Sequence, residues 1–210
     1  IIINKSLTLK PKVGAEVTIN GHINVAADSV TIEGFNIQKT EDKPAIILKG
    51  SNISIIDNKI DGGENEGTGV NRSGIRVTTG TSANITGNYI VGNTGNGIWV
   101  NLSDGDSLTV ENNTIIGNRT GINFDSAGEA TVTLNDNEFK NNTAHGISIG
   151  GNTLNTTFTI AGNTFEGNQR SHFSDRRYSQ MGDGNVTPSR EDIVKNNTIK
   201  GLHAWAWDAD

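Results

Sequence analysis

Residues 110–124 read VENNTIIGNRTGINF, and residues 133–149 repeat the phrase as TLNDNEFKNNTAHGISI. In both, an apolar residue is followed after two spacers by Asn, then after one spacer by Ile or Phe. The same spacing occurs at Ile55–Asn58–Ile60, Ile85–Asn88–Ile90, Val110–Asn113–Ile115, Leu134–Asn137–Phe139, Ile160–Asn163–Phe165 and Val194–Asn197–Ile199. An earlier copy, Ile32–Phe35–Ile37, carries Phe in the Asn position. Successive Asn residues lie 24 to 30 positions apart, except across the longer interval from Asn163 to Asn197. A period of this length marks a repeat architecture rather than a mixed globular fold.

A second phrase, a small residue followed by apolar–x–apolar, separates the copies of the first. It reads AIIL at 45–48, GIRV at 74–77, GIWV at 97–100, GINF at 121–124 and GISI at 146–149. Alternation of this kind builds short strands with one face buried. Three such strands per repeat, with no helix between them, cannot form a βαβ sheet. Stacking each strand on its counterpart one repeat away instead gives an all-β, single-stranded parallel β-helix. The expected fold is one domain over 1–210 with about seven coils and an Asn ladder, in which each turn amide bonds to the next. Residues 166–192 are expected as a long loop excursion, of the kind that is often functional. The terminal HAWAWDAD repeats the inward pattern, so Trp205 and Trp207 are expected to plug the last coil.

Composition narrows the function. Apolar residues make up 33%, with 26 Gly and 3 Pro, which favours strands and turns over helices. The absence of Cys excludes disulfides and thiol chemistry. A formal charge of −6 argues against nucleic acid as a partner. No apolar run is long enough to cross a bilayer, so membrane insertion is not expected. The opening IIINKSLTLK reads as the first strand of a mature chain whose targeting segment has been removed.

With its V-x-x-N-x-I and G-I-x-I motifs across nearly the whole chain, the sequence resembles the right-handed parallel β-helix superfamily, which includes pectate lyases, alginate lyases and epimerases, tailspikes and many surface proteins. The resemblance implies that the Asn turn joins the second and third sheets and that the G-I-x-I strands form the first. It also implies an extracellular or cell-surface location and a saccharide groove over the first sheet. The chain then reads as a segment of a larger exported protein, open to end-to-end or neighbouring-domain contacts.

On that first sheet the x positions point outward. They form one file of Ile47, Arg76, Trp99, Asn123 and Ser148, beside a second of Lys49, Thr78, Asn101, Asp125 and Gly150. An outward Trp offers a flat apolar face for a sugar ring, or else lies under the 61–73 loop. Arg76 has the geometry to grip a sugar carboxylate, or to pair with nearby acids. The carbohydrate-binding candidates are therefore Trp99, Arg76, Asn123, Asp125, Lys49 and His145.

The expected function is non-catalytic: polysaccharide binding, adhesion or surface-layer assembly. The alternative is a polysaccharide lyase or epimerase acting on uronate-containing chains by β-elimination, with Arg76 as the base. Glycoside hydrolysis needs two carboxylates across one bond, and the outer files supply only Asp125. No resident cofactor is expected. Asp104 and Asp106 in the Asp-Gly-Asp turn are the sole candidate Ca²⁺ ligands, although such a turn is usually turn chemistry. Arg170, His172, Phe173, Arg176, Arg177 and Tyr178 form the one basic-aromatic cluster, an excursion against the rod or a contact for anions.

Overall fold

The computed structural model describes residues 1–40, 42–63 and 72–201. Its strands form three parallel sheets of eight, seven and eight strands, each paired only with its counterparts one coil away. The chain thus winds through seven coils of three strands each, then an eighth in which a helix replaces the second-sheet strand. The G-I-x-I segments lie in the first sheet. The Asn motif bends the chain from the second sheet into the third, as between the strands Ser107–Glu111 and Thr114–Ile116.

Register is strict because each inward residue stacks on its equivalent. Ile75, Ile98, Ile122 and Ile147 pair in sequence along the first sheet, and all are fully or almost fully buried. Ile60, Ile90, Ile115, Phe139 and Phe165 do the same in the third. In the later coils this file becomes aromatic, with the Phe139 and Phe165 rings stacked at 4.9 Å and 9°. A one-residue slip would turn each of these files outward, which fixes the pairing.

The turn between the second and third sheets carries the expected ladder. Nδ2 of Asn58 donates to Oδ1 of Asn88 at 3.1 Å, and the series continues through Asn113, Asn137 and Asn163 to Asn197. The residue before each of Asn88, Asn113 and Asn137 has positive φ: Gly87 at 70°, Asn112 at 56° and Asp136 at 54°. Gly, Asn and Asp tolerate that conformation best, which explains the Gly-Asn, Asn-Asn and Asp-Asn pairs in the repeat.

A second ladder was not anticipated from the repeat phrase. Asn93, Asn118, Asn142 and Asn168 lie five residues beyond members of the first and bond in the same way at the turn from the third sheet to the first. It ends on a ring nitrogen, Asn168 Nδ2 meeting His172 Nδ1 at 3.0 Å. The signal was the paired spacing 88/93, 113/118, 137/142 and 163/168.

The 166–192 segment departs from the expected loop. After the third-sheet strand Thr164–Glu166, it supplies the eighth first-sheet strand, Ser171–Asp175, and then folds into helix α1 (Arg177–Met181), a single 3₁₀ turn and the start of helix α2 (Arg190–Asn196). Ser189 caps α2 by accepting from the Asp192 N–H at 3.1 Å, with Glu191 and Asp192 in the first turn. That Ser-x-x-Asp cap starts a helix where the repeat phrase had implied a strand at Val194. Val194 is consequently exposed, and Ile193 enters the core instead. Asn197 still closes the ladder, its Nδ2 donating to the Ile193 carbonyl at 2.7 Å. The plug expected from Trp205 and Trp207 lies outside the described residues.

Candidate functional site

The outer file of the first sheet has the expected register. Arg76 pairs with Ile47 on one side and Trp99 on the other, and Trp99 pairs with Asn123, Asn123 with Ser148 and Ser148 with Ser174. Trp99 points outward between Ile98 and Val100 and is not part of the core cluster. Even so, it is only 7% exposed. The Arg76 guanidinium lies over its ring at 5.0 Å, a cation–π arrangement. Trp99 is therefore a bed for Arg76 rather than an open platform for a sugar. Arg76 itself is half-buried, and its Nε is buried without a hydrogen-bond partner among the described residues.

The second file is broken by bulges after Val100 and Phe124. Asn101 pairs with Ser126 rather than Asp125, and Ser126 pairs with Asn152 rather than Gly151. Each extra residue shifts the register, so Asp125 leaves the file and stands exposed at the bulge. Lys49 is also exposed, while Asn101 and Asn123 are half-buried. The structure thus brings Arg76, Trp99 and Asn123 together and sets Lys49 and Asp125 apart at the edges.

His145 lies at the start of the strand His145–Asn152 and pairs with Ser171. Its Nδ1 is 2.8 Å from Ser171 Oγ, whose single proton is donated to the Phe173 carbonyl at 2.7 Å. Nδ1 of His145 therefore serves as a donor to the hydroxyl.

Both acids of the Asp-Gly-Asp turn tie neighbouring coils together. Oδ2 of Asp106 accepts from the Ser103 N–H at 2.7 Å, the Ser103 hydroxyl at 2.9 Å and the Gly80 N–H one coil earlier at 2.9 Å. Oδ1 of Asp104 accepts from the Glu129 N–H one coil later at 2.8 Å. A cation here would compete with backbone donors for these oxygens. Among the described residues, no three or more His, Asp or Glu side chains are grouped to hold a metal ion.

The basic-aromatic cluster is mostly interior. His172, Phe173, Arg177 and Tyr178 are each no more than 3% exposed. Arg177 forms a buried bidentate pair with Asp175, through Nη2–Oδ2 at 2.7 Å and Nε–Oδ1 at 3.0 Å, and packs its guanidinium over Phe158 at 4.5 Å. Tyr178 donates to the Pro188 carbonyl at 2.9 Å. These contacts hold α1 and the following turn to the end of the rod; only Arg170 and Arg176 of the cluster are exposed.

Stacked coils, inward aliphatic files and two asparagine ladders define a parallel β-solenoid. Within that class the chain belongs to the right-handed β-helix family: the profile of the right handed beta helix region matches residues 21–210. No curated protein matches the chain with significance.

Proposed function

We propose that this chain is a non-catalytic module of an exported, cell-surface protein that holds a polysaccharide against the outside of its first sheet. The observation that carries the reading is Arg76 on Trp99: a half-buried guanidinium fixed over an indole on the outside of the sheet is preorganised to meet an acidic sugar. Asn123 pairs with Trp99 on the side away from Arg76 and extends the same outer file, and Lys49 and Asp125 stand at the margins.

Two features favour binding over chemistry. A guanidinium laid over an indole face presents N–H donors, which suits it to gripping an anion. The carboxylates at Asp104 and Asp106 are engaged by backbone donors.

Binding of immobilised uronate-containing glycans tests the proposal, with Arg76→Ala and Trp99→Ala as the informative variants. Arg76→Ala should lower affinity about tenfold, the scale of one charge-assisted contact. Trp99→Ala should do the same by freeing the guanidinium. Retention of full binding by both variants would show that this face is not used. New absorbance from unsaturated uronate ends would instead establish the lyase alternative.

A further inference from the structure

The turn from the third sheet to the first carries a feature that the strand phrases conceal. Its backbone hydrogen bonds run from coil to coil through one file of residues. Gly95 N–H donates to the Arg72 carbonyl at 3.1 Å, Arg119 N–H to Gly95 at 2.8 Å, Ala144 N–H to Arg119 at 2.6 Å and Arg170 N–H to Ala144 at 2.9 Å. Read along the rod the file is Arg, Gly, Arg, Ala, Arg. Arginine occupies every second coil, and the coils between carry the two smallest side chains. A shallow open groove of about 500 Å³ lies along this corner, lined by Arg119, Ala144, Arg170, Thr94 and Thr143.

Arg119 and Arg170 are exposed, and neither makes a side-chain hydrogen bond or ion pair with a described residue. Glu166, on the adjoining sheet, is shared between Lys140 and Lys200 at 3.7 and 3.5 Å. In a chain of formal charge −6, this is a local concentration of unneutralised cations. Coils stack about 4.8 Å apart, so the arginines recur at roughly 10 Å along the axis. One pyranose of an extended glycan advances by about the height of one coil.

We propose that this arginine file is a binding track for a linear acidic polysaccharide, laid parallel to the rod, in which every second sugar turns a carboxylate or sulfate toward the protein. Between Arg119 and Arg170 the small side chain of Ala144 lines the groove and leaves room for the sugar, and each of these two guanidinium groups meets one anion as a two-pronged donor. The inference rests on the glycan-binding reading above but places the contact at the sheet corner, beside the Arg76 face. Its repeat, set by the coil, selects against polymers whose charges are spaced otherwise.

The test measures binding of the 210-residue chain to four soluble probes: polygalacturonate, heparin, neutral dextran and single-stranded polythymidylate. The variants are Arg119→Gln, Arg170→Gln, their double, and the charge-conserving swap Arg119→Thr with Thr143→Arg, which moves one cation off the two-coil spacing. Thermal unfolding of each variant confirms that the rod is intact. The expected result is binding to one or both acidic glycans and not to dextran, with a loss of about tenfold per arginine removed. The logarithmic salt dependence should fall by about one per arginine. The swap should bind as weakly as the Arg119→Gln variant despite its unchanged net charge. Wild-type affinity in the double variant or in the swap would overturn the track, as would tighter binding of polythymidylate than of either acidic glycan. Loss of binding confined to Arg76→Ala and Trp99→Ala would overturn the track while leaving the sheet-face reading standing.

Discussion

Oδ1 of Asn137 accepts two hydrogen bonds from one residue, Asn113: the side-chain amide at 3.0 Å and the backbone N–H at 3.1 Å. Asn113 in turn offers its own Oδ1 to the N–H and Nδ2 of Asn88, and its Nδ2 reaches the Ile85 carbonyl one coil back at 2.8 Å. Each interior ladder residue therefore satisfies buried polar groups from three successive coils. This is the physical reason that the same asparagine recurs in every coil from Asn58 to Asn197 although the intervals between copies vary.

Removing one rung should be costly in proportion to its depth in the stack. Asn113→Ala strands the Asn88 N–H and the Ile85 carbonyl in the interior, and at about 1–3 kcal/mol for each unsatisfied group the loss should reach about 3 kcal/mol. Asn197→Ala, at the end of the ladder and only partly buried, should cost about half as much. Denaturant midpoints of the two variants check the order. Equal losses would mean that the ladder does not act through buried polar groups.

The glycine of the G-I-x-I phrase makes a different kind of contact. A Cβ on Gly121 would fall against the Gly146 carbonyl and 2.7 Å from a ring carbon of Phe139, with no positive φ involved. Gly105 has φ +80° but open space around it. Gly121→Ala should therefore lose about 2–3 kcal/mol by overpacking, against about 1 kcal/mol of backbone strain for Gly105→Ala. Thermal unfolding of the pair decides whether coil-to-coil approach or backbone conformation is the stronger constraint on glycine here.

The parts of the molecule legible in the sequence were those that repeat. The Asn58-to-Asn197 series and the Ile75–Ile98–Ile122–Ile147 file give the coil, the register and the buried face, because stacking imposes the same local chemistry every turn. What broke the repeat was harder to read. The bulges after Val100 and Phe124 move Asp125 out of its file without altering the alternation of apolar residues. The Ser189 cap overrides a strand phrase at Val194 because a helix N-terminus depends on one side chain outside the periodic pattern. Exposure was not readable for Trp99 either, since pointing outward and being uncovered are separate facts. Arg119 escaped notice because its significance lies in Gly95 and Ala144, its neighbours across coils rather than along the chain.

Asp175 and Arg177 form a buried pair at the end of the rod, with side chains only 1% and 2% exposed. Arg177→Met leaves a carboxylate in the interior without its partner, at a cost of about 3–5 kcal/mol. Replacing both, Asp175→Leu with Arg177→Met, should restore most of that loss, since no charge is then buried. The coupling from the full mutant cycle is the measurement. Additive losses would show that the two side chains act independently.

Lys39 gives the fold a pH dependence on the alkaline side. It is 2% exposed, and its ammonium is pushed below the usual lysine value of 10.5, first by burial and further by the nearby Arg72 charge, with the Asp42 carboxylate opposing. Between the lowered folded value and 10.5, the unfolded chain binds the extra proton. Stability contributed by this group therefore rises as pH climbs through that interval, and below it the full cost of a buried ammonium is present. Lys39→Met keeps the stem and removes the charge. It should raise stability at neutral pH by about 1 kcal/mol, the usual size of a single stabilising change, and abolish the rise with pH. Denaturant unfolding of both proteins at neutral pH and near the lysine value tests this directly. A variant less stable than the parent at neutral pH would show that the attraction to Asp42 outweighs the burial of the charge.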